Sequence, residues 1–265
     1  MSVKINSLRE DEIRDIGDAF ADFEYAESEF GMGYLGKSRQ AISDYICAYV
    51  RRRMMKYAGM PSAMWMLYKK SFRNHLVSDL GFTDDVANRI TKQAKSKYRE
   101  SIEKLPEFDK ADRFKANIVN CALLVAFLQC MDRRPSVEEL TDFYEAAMTM
   151  TATKIFCKMG GKIKFTDKDI EGMKATAALK AADRNPYSWN MDYIPYDDDS
   201  GYEARFYKCG ICVLMREYGY FDLVPAMCHL DYTMSELGGT TNFVREYTLA
   251  SGGPYCDCGY KKKNL

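Results

Sequence analysis

Histidine is scarce in this chain. Only His75 and His229 occur in 265 residues, and His75 has no second ligand-type residue at a metal-binding spacing, so it reads as a surface or packing residue. Net charge is missing too. Lys plus Arg and Asp plus Glu balance at 38 each, which leaves no overall field to favour nucleic acid or an anionic membrane, so neither is expected as a partner. Long apolar runs are absent as well: the longest, Ala122 to Leu128, falls far short of the roughly 20 residues that cross a bilayer. Met1 to Ala21 lacks an apolar core followed by a cleavage site, and the expectation is a soluble, cytoplasmic protein. No internal repeat and no low-complexity segment interrupts the chain.

Cysteine is not scarce. Nine thiols in a chain of this length do not make a small stapled scaffold, the odd number leaves at least one unpaired, and reduced thiols are the default. Cys47, Cys121, Cys130 and Cys157 sit among apolar residues in helical patterns and read as small buried hydrophobes. The other five lie beyond residue 205, together with His229, several acids and Arg245. That stretch organises the functional reading, and the rest reads as scaffold.

The scaffold reads as helical. Helices are predicted over Leu8 to Glu27 and Ser38 to Tyr57. After a break at Met60-Pro61-Ser62, another helix runs from a Ser62 cap through Val77. Thr83-Asp84-Asp85 opens a basic helix to about Lys104. From Asp109 to Met131 the positions Phe114, Ile118, Cys121, Val125 and Leu128 form one apolar stripe, which predicts a central helix. Ser136 with Glu139 has the capping-box pattern and starts a helix to about Cys157 that Gly160-Gly161 stops. Thr166 with Asp169 starts another, ending by Asn185-Pro186.

Beyond Pro186 the period changes from helical to alternating. Strands are predicted over Tyr187 to Ile194 and Tyr202 to Cys209, joined as an antiparallel hairpin. Helices follow at about Cys209 to Glu217 and Leu223 to Leu237. Asn242 to Leu249 and Tyr255 to Tyr260 read as two further strands about a Gly252-Gly253-Pro254 turn. The fold class is therefore α+β: a helical N-terminal half, then a small antiparallel sheet of about four strands with two helices inserted. Residues 1–58 read as a helical appendage and 59–265 as the main domain.

Strand alternation places Arg245 on one face with Phe243, Tyr247 and Leu249. A guanidinium drawn inward with three apolar neighbours must meet a carboxylate, from the protein or from a ligand. Cys228 and Asp231 share a helix face, whereas His229 points about 100° away from Cys228 and so acts only with a residue from another element. Cys209-Gly-Ile-Cys212 has the spacing of zinc knuckles and redox pairs. Cys256-Asp-Cys258 is one residue too short for the second half of a knuckle, and its alternation sends Cys256 and Cys258 to one side and Asp257 to the other. A zinc or iron site from Cys209, Cys228, Asp231 and Cys256 is thus the less favoured reading, and no cofactor is expected.

Two resemblances add to these readings. Asp18 to Glu27 followed by Asp44 to Val50 resembles the start of the GNAT acetyltransferases, but no acetyl-CoA-binding glycine loop follows and no such activity carries over. Cys209 heading a helix after a strand, Cys228-x-x-Asp231, Arg245-x-x-Thr248-Leu-Ala, Gly252-Gly253 and Cys256-Asp257 together resemble the L-2-amino-thiazoline-4-carboxylic acid hydrolase family. The likeness extends over about residues 60 to 260, with one departure, Cys258 where an aromatic usually follows the Cys-Asp pair. It implies hydrolytic opening of a cyclic amidine, the thiazoline ring giving N-carbamoyl-L-cysteine. On that reading Cys228, Asp231, Cys209 and Asp257 are the catalytic candidates, Cys228 as nucleophile and Asp231 or Asp257 as base. Arg245, with Thr248, Cys256 and His229, would contact a small carboxylated substrate. The rival reading, from the thiols alone, is a ligand- or metal-binding sensor module without turnover.

Overall fold

The computed structural model describes residues 56–109 and 111–263. The chain divides into two units, Met1–Gly59 and Met60–Leu265. Of the first, only a 3-10 turn at Lys56–Gly59 is described, so the two N-terminal helices expected from the sequence, and the GNAT-like stretch, lie outside the described residues. The second unit is α+β. Eight α-helices and four strands are present among the described residues, and the strands come after the sixth helix.

Helix α1 spans Met60–Ser78. It begins ahead of the predicted Ser62 cap, because Pro61 sits in the first turn, where no backbone N–H is needed. In α2 (Asp84–Lys104) the Thr83 side chain accepts from Val86 N, with Asp84 and Asp85 in the first turn and Lys104 in the last, all favourable to the helix dipole. Helix α3 (Lys115–Leu128) is shorter than the predicted Asp109–Met131 helix. Asp109 and Asp112 turn their carboxylates onto the N–H groups of Ala111 and Phe114, 2.8 and 2.7 Å away, and hold the approach non-helical. Burial is not confined to one stripe either: every residue from Cys121 to Phe127 is fully buried, so α3 runs through the middle of the helical layer.

The Ser136–Glu139 capping box opens α4 (Val137–Met148). The predicted continuation to Cys157 breaks at Met150, which is extended, and a separate α5 spans Thr151–Ile163. Gly160-Gly161 does not end that helix. A side chain at Gly161 would meet the Gly238 carbonyl oxygen at 2.2 Å, so its role is close approach of two helices rather than termination. Thr166 caps α6 (Asp167–Ala181) through Asp169 N.

Strands β1 (Asn190–Pro195) and β2 (Gly201–Lys208) form the expected hairpin. Helices α7 (Gly210–Glu217) and α8 (Val224–Gly238) lie between it and β3 (Thr241–Val244), and β4 (Cys256–Lys262) closes the chain. The sheet is antiparallel with order β1-β2-β4-β3. Met191, Ala204 and Cys258 centre its buried face, against which Phe114 and the α6 residues Met173 and Ala177 pack. The predicted strand Asn242–Leu249 is cut short at Val244. Asp257 takes the N–H groups of Glu246 and Tyr247, at 2.9 and 2.6 Å, out of any ladder.

Candidate active site

Cys209 stands at the N-cap of α7, directly after β2, with extended dihedrals (φ −132°, ψ 117°). Gly210 makes the junction possible. A side chain there would run into the Tyr187 carbonyl oxygen at 1.9 Å and the Trp189 ring at 3.2 Å, so the glycine lets the first turn of α7 close on the Trp189 indole. The thiol makes no regular cap hydrogen bond. Its pKa is nonetheless lowered, by the Cys212 thiol first and then, against the opposing effect of burial, by the amides of Cys212 and Ile211 and the Trp189 indole.

The neighbouring thiols behave oppositely. Burial pushes Cys228 up to about 12, the effect of Arg245 only partly offsetting it. Burial likewise raises Cys256 and Cys258, and Cys212 is raised by the bond it gives Cys209 and by burial. Negative charge on Cys209 is felt at Cys228, Cys256 and Cys121. The Cys228 face of α8 and the start of β4 thus lie within electrostatic reach of Cys209. All eight described cysteines are free thiols.

On α8, Asp231 faces the cluster beside Cys228, as the helix spacing requires. Arg245 Nη1 donates to Asp231 Oδ2 at 2.8 Å and Nη2 to the Cys228 carbonyl at 3.0 Å. The guanidinium lies 5.1 Å from the ring centroid of Tyr232 and 5.3 Å from that of Phe243. The carboxylate that the sequence demanded for Arg245 thus comes from within the chain. The pair is asymmetric: the Arg245 side chain is 7% exposed and that of Asp231 48%. Protein packed densely about Asp231 still raises its pKa, burial outweighing the opposing pull of Arg245. About half of the Asp231 side chain is open to solvent, while its partner is enclosed.

The other predicted site residues serve the frame. Asp257 spends both oxygens on the amides of Glu246 and Tyr247, and Thr248 Oγ1 accepts from Ser251 N at 3.0 Å to close a 3-10 turn over Leu249–Ser251. Cys256 Sγ accepts from Leu249 N at 3.2 Å. These four bonds shape the segment that carries Arg245. His229 points away from Cys228, its Nε2 being 3.5 Å from Glu145 Oε2 on α4. No group of three or more His, Cys, Asp or Glu side chains among the described residues is arranged to hold a metal ion. Trp189 and Tyr232 were not singled out from the sequence as site residues, and Cys212 was named only as the second thiol of the Cys209-Gly-Ile-Cys212 pair. A CxxC pair at a strand-to-helix junction is the signal that points to Cys212; nothing in the sequence marks Trp189, which joins the site only through the packing at Gly210.

A family model described as L-2-amino-thiazoline-4-carboxylic acid hydrolase matches residues 112–260, which include every residue of this cluster. No curated protein and no solved structure matches the chain.

Proposed function

The chain belongs to the L-2-amino-thiazoline-4-carboxylic acid hydrolase family, and from that premise we propose that it opens a small carboxylated cyclic amidine by adding water at the ring carbon between nitrogen and sulfur. The observation that carries this reading is the solvent-reached carboxylate of Asp231, held by Arg245 next to Cys228, in the group of thiols to which Cys209 belongs. Such a ring offers one electrophilic carbon and two N–H groups. Asp231 accepts from the N–H groups, while Arg245, its own charge already met, fixes that carboxylate from behind rather than gripping the substrate acid.

Cys209 Sγ attacks the ring carbon, and the ring carbon–sulfur bond breaks. The ring sulfur leaves as a thiolate and takes up a proton. Water then adds to the same carbon with Asp231 as general base, Cys209 departs as thiolate, and a carbonyl forms. The net change is one water added, giving an N-carbamoyl-cysteine type product from an aminothiazoline carboxylate. Cys209 replaces Cys228 as nucleophile in this scheme because Cys228 stays protonated near neutral pH. Asp257, saturated by two amides, is set aside as base.

The test is mass spectrometry of a panel of cyclic amidines, 2-amino-thiazoline-4-carboxylate among them, incubated with the protein. A product heavier by one water and carrying a new free thiol is expected, and it is absent with Cys209→Ser. No ring-opened product from any of the panel overturns the proposal.

A further inference from the structure

The outer face of α5 carries four large apolar side chains into solvent: Ile155, Phe156, Met159 and Ile163 are 56%, 76%, 63% and 51% exposed. On helical geometry they occupy a sector of about 100°. The opposite face is fully engaged by its own domain. Thr153 bonds the Tyr68 hydroxyl at 3.1 Å, Cys157 Sγ lies 3.2 Å from Met234 Sδ, and Gly161 packs on Gly238. Exposed apolar rows of this length are uncommon on soluble surfaces and mark a place where something binds.

Charge selects the partner. Lys154, Lys158 and Lys162 run as a second exposed row beside the apolar one, and α5 contains no acidic residue. The balanced charge of the whole chain hides this local excess. A second copy pairing α5 on α5 would bring six lysines together with no acid between them, which like-charge repulsion disfavours. A ridge of protruding side chains bordered by cations suits a flat, deformable apolar phase with an anionic rim.

We propose that α5 docks the protein on an anionic lipid surface, with Phe156 and its apolar neighbours entering the headgroup boundary and the three lysines meeting lipid phosphates. The test uses the full chain in flotation with vesicles of phosphatidylcholine alone and of phosphatidylcholine mixed with phosphatidylglycerol. Binding is expected to the mixed vesicles, much weaker to the neutral ones, and to fall as salt rises. Replacing all three lysines by glutamine lowers partitioning on the order of 100-fold, from about five-fold per lysine. Phe156→Asp abolishes binding while thermal stability stays unchanged, since that side chain supports nothing in the fold. Absence of binding to either vesicle, or binding indifferent to both variants, overturns the proposal. So does light scattering that shows a dimer which Phe156→Asp dissociates, because the face would then belong to a second copy.

Discussion

The Lys180 cluster and the Arg245 cluster are both built around a cation drawn out of solvent, and they differ in what each leaves open. Lys180 on α6 is 0% exposed. Its ammonium meets the carboxylates of Asp112 and Asp183 and the Ser188 hydroxyl, with the Phe114 ring 5.6 Å away. Ser188 in turn donates to Asp183 at 2.5 Å. Every strong group has a partner inside, so the cluster ties the approach to α3, the end of α6 and the approach to β1 together and has nothing left for a ligand. The Arg245 side chain is 7% exposed, but its carboxylate partner keeps about half its surface. A closed ionic cluster fixes a fold; one with an open acid can act on something else.

That contrast can be broken in several ways. The largest effect expected is on turnover: Cys209→Ser lowers ring opening by on the order of 10⁴-fold or more with the fold intact, measured as product formation beside thermal unfolding. Next is Lys180→Met, which strands two acids and costs about 3–5 kcal/mol, lowering the melting temperature by roughly 10 °C. Adding Asp112→Leu to it should recover part of that loss, and a double-mutant cycle measures how much. Asp231→Asn is expected to cut turnover by about 10²-fold through loss of the general base, and to cost about 1–3 kcal/mol of stability as well, since the enclosed Arg245 keeps an acceptor but loses its counter-charge.

Arg245→Gln sharpens the comparison, because solvent can reach the Asp231 it abandons. The stability loss should be about 1–3 kcal/mol, below that of Lys180→Met. The smallest effect is a pH dependence. Hydrogen bonds from Ser188, Lys180 and Asn185 outweigh burial and lower the Asp183 pKa. Its contribution is therefore whole above the pKa of an unfolded aspartate and is lost as pH falls through the lower, folded value. Acid unfolding followed by circular dichroism should show this component in the native chain and not in Asp183→Asn.

Much of the frame was legible because local chemistry and tertiary packing agree there. Thr83, Ser136 and Thr166 cap the helices they were expected to cap, and the hairpin follows from alternation over Tyr187 to Cys209. Departures arise where a side chain captures backbone N–H groups that periodicity assigns to an element: Asp109 and Asp112 before α3, and Asp257 beyond β3. Glycine misled once, since Gly161 serves contact and not termination. In the site, the Cys228–Asp231 face was readable from spacing, whereas Arg245 lies beyond the end of β3 and is enclosed through Asp231, Tyr232 and Phe243 rather than by strand alternation. The lowered pKa of Cys209 was not readable there, because it depends on Cys212, Trp189 and the first turn of α7. Lys180 was hidden, as a lysine in an alanine-rich helix carries no sign that the distant Asp112 joins the nearby Asp183 around it.

The most direct test of the reactive thiol is the order of alkylation by iodoacetamide as pH is raised, mapped by peptide mass and followed beside residual ring-opening activity. Cys209 should be modified first, half-maximally at a pH below that of an ordinary thiol, with activity lost in step. Earlier modification of Cys228 or Cys256, or full activity after Cys209 is alkylated, would contradict the account.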